Sequence, residues 1–162
     1  MRKAEEERFH EFVAARMDRW RRSAFLLCRD WHTADDLVQL TFVKLYPQWR
    51  RVRDGSVDAY VRRILVNTYL SHVRKHRREK VVAEVPETPA PEADSHEGLS
   101  QALRRLPPQQ RAVVVLRHLE DLSIADVAEV LHLAEGTVKS QSARGVAALR
   151  AAMIRSAQPK EL

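Results

Sequence analysis

Five residues, Thr137, Lys139, Ser140, Gln141 and Arg144, crowd one side of a helical repeat. Its other side carries Val138, Ser142, Val146 and Leu149 at spacings of four, four and three. Side chains of the exposed types suit a nucleic-acid duplex: Lys and Arg hold phosphates or guanine edges, Gln pairs with adenine, and Ser and Thr donate to phosphates or bases. The same spacing occurs in bundles whose polar helix face meets only water, so the setting matters. Ser123, with Asp126 three residues on, opens a helix through Leu131. A brief turn spans His132 to Ala134, and a long helix follows from Glu135 to about Ile154. Helix, tight turn, helix is the arrangement that lays a second helix in the DNA major groove.

A second basic site lies earlier in the chain. Arg62, Arg63 and Asn67 precede a run of Arg74, Lys75, Arg77, Arg78 and Lys80, and Tyr60 and Tyr69 sit among them. Aromatic rings beside cations can stack unpaired bases while the cations hold phosphates, although a tyrosine in a helix commonly packs inward with its hydroxyl at the surface. A third stretch, ADDLVQLTFVKLY from Ala34 to Tyr46, mixes Asp35, Asp36 and Gln39 with apolar Leu40 and Val43. That mixture suits docking on a partner helix; burial inside the chain's own bundle is the competing reading.

These sites need helices to present them. Phe9, Phe12, Val13, Trp20, Ala24 and Leu27 recur at helical spacing from about Glu5 to Cys28, as one helix or two joined by a kink. Thr33 with Asp36 reads as a capping pair opening a second helix, lined by Val38, Phe42, Leu45 and Trp49 and ended by Pro47. A loop from Arg50 to Gly55 follows. Ser56 or Asp58 then caps a third helix with Val57, Val61, Ile64, Leu65 and Thr68 inward. Later, Leu99 to Leu106 makes a short helix stopped by Pro107 and Pro108, and Gln109 to Leu119 another with Val113, Leu116 and Leu119 inward.

Between the two groups, Val81 to Gly98 holds three Pro and five acids without Lys or Arg, which predicts an extended linker. The expected organisation is all-α: a three- to four-helix module over 1–80, the linker over 81–98, and a helix-turn-helix module over 99–162. Net charge is +8, −5 and +3 across these segments, within +6 for the 162-residue chain. Basic, acidic, basic is an organised pattern, and nucleic acid is the natural partner of its ends.

Other classes fit less well. Cys28 is the single cysteine, so neither an internal disulfide nor a cysteine-held zinc is expected. The histidines read as scattered, without HExxH or HxxxH spacing, and no cofactor or metal centre is expected on them. A phosphate-cradling Gly loop and a nucleophile motif are both missing, which argues against an enzyme. No apolar run reaches the ~20 residues needed to cross a bilayer and no signal peptide opens the chain, so a cytoplasmic protein without membrane insertion is expected.

Together these segments resemble the extracytoplasmic-function (ECF) class of bacterial RNA polymerase sigma factors, in its short actinobacterial form. HTADDLVQLTFVKLY is similar to the family's region 2 helix that docks on the polymerase clamp, and AYVRRILVNTYLSHVRKHRR to the following helix that meets the −10 element. LPPQQRAVVVLRHLEDLSIADVAEVLHLAEGTVKSQSARGVAALR is similar to region 4. The resemblance implies a factor that directs core polymerase, through its β and β′ subunits, to promoter DNA, with an anti-sigma protein as a further partner. It places Asp35, Asp36, Gln39 and Val43 on the polymerase. It places Arg53, Tyr60, Arg63, Asn67, Arg74 and Arg77 on the −10 element, where the loop Arg50 to Gly55 captures a flipped base. Extruding a base costs a few kcal/mol, and a pocket that holds it helps to open the duplex. Thr137, Lys139, Ser140, Gln141 and Arg144 fall on the −35 element, and the acidic linker in the polymerase RNA exit channel.

Four positions depart from the family pattern. His132 stands where Gly is usual, Ala134 where Ser or Thr caps, and Gln141 and Ser142 where many members carry Arg and a larger apolar residue. The −35 preference therefore does not carry over from the family. The residues themselves also admit a dimeric helix-turn-helix regulator, which needs a symmetric self-association surface, and a pure protein adaptor, which leaves both basic faces unexplained.

Overall fold

Asp30 starts the second helix of this protein, not Thr33. In the computed structural model, which describes residues 2–80 and 97–157, the Asp30 carboxylate accepts from the Thr33 amide at 2.9 Å and from its hydroxyl at 2.6 Å. Thr33 thus lies inside the first turn, donating to the cap. Asp30 follows a reversal at Arg29, whose backbone is left-handed (φ 61°) and whose amide donates to the Phe25 carbonyl. One uninterrupted helix, α1 (Lys3–Cys28), precedes this corner, and α2 (Trp31–Leu45) follows it. A 3-10 turn at Tyr46–Gln48 leads into α3 (Trp49–Val52), and α4 runs Val57–Lys80. Most of the expected loop from Arg50 is therefore helical, and the irregular stretch shrinks to residues 53–56.

Burial explains the packing of these helices. Trp20, Ala24 and Leu27 of α1 meet a buried stripe of Ala34, Leu37, Val38, Phe42 and Leu45 on α2, with Val61, Leu65 and Val66 of α4 buried as well. Phe9 stands edge-on to Tyr46 and Trp49, at 5.2 and 5.5 Å between ring centroids, and Phe12 lies 5.1 Å from Trp49. Aromatic contacts of this kind pin the 3-10 turn and α3 onto α1. Arg16 reaches Asp58 at 3.0 Å and Lys44 reaches Thr68 at 3.1 Å, so α4 is tied to both other long helices.

The second group comprises α5 (Glu97–Arg105), α6 (Pro108–Val114) continuing as a π turn at Val115–Leu119, α7 (Ile124–Leu131) and α8 (Glu135–Ala157). Pro108 opens α6, at the position where a missing amide costs nothing. Of the expected linker, 81–98, only the end lies within the described residues, and there Glu97 and Gly98 already belong to α5. Residues Ala112 to Leu116 are all buried, whereas Leu119, expected inward, is 44% exposed because the π turn shifts its register. Arg111 is buried and donates to the carbonyls of Leu103, Arg104 and Leu106, capping the C-terminus of α5.

Gly145 faces α6 so closely that an added Cβ collides with Cγ2 of Val114. The chain divides into two compact units, Met1–His76 and Arg77–Leu162. Among the described residues, no helix is long and apolar enough to cross a membrane.

Asp30→Ala should lower the stability of the first unit by about 1 kcal/mol, read from urea midpoints. The Thr33 hydroxyl and amide hold the Asp30 carboxyl below the ordinary carboxylate range. A depressed carboxylate stabilises fully above its unfolded pKa, near 4, and loses that contribution as pH falls toward the folded value. The difference between wild type and variant should thus hold from about pH 7 to about pH 5 and shrink only as pH falls below about 4. Gly145→Ala should destabilise the second unit by about 1–3 kcal/mol, partly recovered by adding Val114→Ala; an unchanged melting temperature would refute the steric account.

Candidate nucleic-acid and partner interfaces

On α2 the burial pattern leaves a complete face outward. Asp36, Gln39, Leu40 and Val43 are exposed, Leu40 to 45% and Val43 to 66%, at the 3-1-3 spacing of a single helical face. The two readings posed as competitors thus fall on opposite sides of one helix, which buries one stripe in its own bundle and leaves another exposed. Asp35 stands apart from that face, half-buried and held by Arg21. The Arg21 guanidinium lies 4.5 Å over Trp31, and Trp31 stacks on Phe25 at 3.9 Å and 9°. Asp35 is thus fixed by α1, while Asp36 and Gln39 remain exposed.

On α4, Arg63, Asn67, Arg74 and Arg77 are exposed. Arg74 donates to Ser71 at 3.2 Å, a contact within its own turn. Tyr60 is half-buried, with Arg51 donating to its hydroxyl at 3.3 Å and lying 5.6 Å from its ring. Tyr69 takes the inward alternative that its helix position allowed, and Arg53 is more enclosed than its neighbours on this face. Tyr69 is 1% exposed and belongs to the core, leaving no ring face for a base. Arg53 is half-buried and paired with Glu5 of α1 and with Asp54, so its charge is largely compensated. Contrary to the expectation of no HxxxH spacing, His72 and His76 stand four apart and stack at 5.9 Å between Arg74, Lys75 and Arg77. The surrounding cations repel a divalent ion there. Among the described residues, no three His, Cys, Asp or Glu side chains gather to hold a metal.

In the second unit, α7 ends with His132 in the left-handed region (φ 56°, ψ 46°). The amide of Leu133 donates to the Ala128 carbonyl and that of His132 to Glu129, a Schellman closure. Glycine enters this conformation without steric cost, whereas His132 carries a penalty there. Ser123 accepts from the Asp126 amide at 3.1 Å, as its spacing indicates. On α8, Lys139, Ser140 and Arg144 are exposed with Thr137 half-buried beside them, and Ser140 donates to the Thr137 carbonyl at 3.1 Å.

Gln141 is not on that open face. It is half-buried and donates to Gln109 of α6 at 3.0 Å. Ser142 shares a 2.9 Å hydrogen bond with His118 of the π turn. Val138 and Leu149 are buried and Val146 half-buried, the inward stripe expected. Sequence reasoning did not single out Arg111 or Gly145. An arginine in an apolar run and a glycine inside a helix were the available signals.

Comparison with known proteins agrees with this architecture. The family description "Sigma-70 region 2" matches residues 12–79, and "Sigma-70, region 4" matches 96–149. The RNA polymerase sigma-E factor of Streptomyces coelicolor is 38% identical over 152 residues, covering 90% of this chain and 86% of that one. The ECF RNA polymerase sigma factor SigE of Mycolicibacterium smegmatis is 35% identical, covering 86% of this chain and 59% of that longer protein. Among solved structures, the sigma factor RpoE of Bartonella quintana, in complex with the anti-sigma factor NepR, superposes with a TM-score of 0.73 at 26% identity over 94% of this chain and 99% of that one. Two helical units, the second with a helix-turn-helix, define the class. The chain belongs to the sigma-70 family, within its extracytoplasmic-function group of RNA polymerase sigma factors.

Proposed function

We propose that this chain gives bacterial RNA polymerase its promoter specificity, acting in the cytoplasm as a binding factor without chemistry or cofactor of its own. The observation that carries this reading is the pairing, in one small unit, of an exposed acidic and apolar face on α2 with an exposed basic face on α4. The first suits a protein and the second a polyanion. Asp36, Gln39 and Val43, with Asp35 at their edge, dock on the core enzyme. Arg63, Asn67, Arg74 and Arg77, with Tyr60 beside them, engage the −10 element and help to open it, while Arg53 acts by holding the 53–56 loop against α1. In the second unit Thr137, Lys139, Ser140 and Arg144 meet the −35 element. Gln141 contributes there only by exchanging its bond to Gln109 for one to a base. The acidic stretch 81–98 joins the 1–80 and 99–162 modules. The relatives in hand include a sigma factor held by an anti-sigma factor, and a regulator of that kind suits this chain too.

Run-off transcription with purified core polymerase tests the whole reading: start sites should appear when the chain is added and vanish without it. Asp36→Arg with Gln39→Ala should abolish core binding while circular dichroism stays native; unchanged polymerase affinity would remove α2 as the docking face. Lys139→Ala should weaken −35 binding and flatten the salt dependence by about one unit of log–log slope, the loss of a single phosphate contact. A slope equal to wild type would take Lys139 off the duplex.

A further inference from the structure

The arginines of α1 divide into two sets. Arg8 is paired with Glu5, Arg16 with Asp58 and Arg21 with Asp35. Among the described residues, Arg19 and Arg22 have no carboxylate partner, and both are exposed. Arg19 places its guanidinium carbon 5.3 Å from the centroid of the Trp20 ring, and Arg62 of α4 places its own 5.9 Å from that centroid. Two helices thus bring cations to one indole, with Arg22 one turn along α1 and Arg63 next in sequence on α4. Arg19 and Arg22, exposed and without a carboxylate partner among the described residues, favour a bound anion beside this indole.

We propose that Arg19 and Arg22, with Arg62, form a phosphate-binding shelf that continues the basic face of α4 onto α1 and holds the promoter backbone beside the −10 contacts. The inference rests on the proposed role of α4. The partner is the phosphate backbone and not the bases, because Trp20 is 1% exposed and lends no free ring to stack on. Arginine heads on a buried aromatic are fixed in place, which suits a repeating row of charges. Such contacts position the duplex without reading its sequence.

The experiment uses the full chain assembled with core polymerase. Arg19→Gln with Arg22→Gln keeps the aliphatic stems, including the one over Trp20, and removes both charges. Core affinity and melting temperature should stay at wild-type values. Promoter affinity should fall about tenfold at moderate salt, with a log–log salt slope about two units shallower, equally for strong and weakened −10 sequences. Lysines at both positions should restore most of the loss. Asn67→Ala, measured in parallel, should instead erode discrimination among −10 sequences. Unaltered promoter affinity in the double variant, with Asn67→Ala still impaired, would sink the shelf alone. No effect from any of these variants would sink the α4 reading with it. A drop in core affinity for the double variant would show that this surface meets protein, which also overturns the proposal.

Discussion

Each unit of this chain is too small to bury a helix on every side, and that limit governs the rest of its structure. A core a few helices thick takes one stripe from each helix and leaves the opposite stripe in water. On α2 the inner stripe is aliphatic and aromatic, and the outer one carries Asp36, Gln39, Leu40 and Val43. On α8 Val138 and Leu149 go in, while Lys139, Ser140 and Arg144 stay out. The exposed stripes are the reverse sides of the packing stripes, so the residues that fix the fold also set which side chains face outward.

Much of this was readable from spacing because helical period is a strong signal when one face is apolar. The stripes through Val38, Phe42, Leu45 and Trp49, and through Val61 and Leu65, are buried as their intervals require. The Ser123 cap and the His132 to Ala134 turn are equally plain. Where the structure departs from the spacing, the cause is mostly a partner distant in sequence. Nothing near Arg53 announces Glu5, 48 positions earlier. Gln141 looks like a base reader until Gln109 is brought beside it. Two acids, Asp30 and Asp36, lay within reach of Thr33, and only the left-handed backbone at Arg29 decides between them.

Charge is distributed with the same economy. Most acids of the first unit that face an arginine neutralise it locally, as Asp35 does for Arg21 and Asp58 for Arg16. Surface pairs of this kind add little stability, but they decide which cations remain for a polyanion. Chain-wide net charge therefore says less about recognition than the list of arginines left over after pairing.

Arg111 has a mechanical meaning as well as a structural one. Its guanidinium ties the end of α5 to α6 through three carbonyls, and α6 in turn lies against α8 where Gly145 admits Val114. One buried guanidinium and one close helix approach thus link α5, through α6, to the helix that carries Lys139 and Arg144. The end of α5 is thereby held to α6 by one side chain and not by the backbone alone.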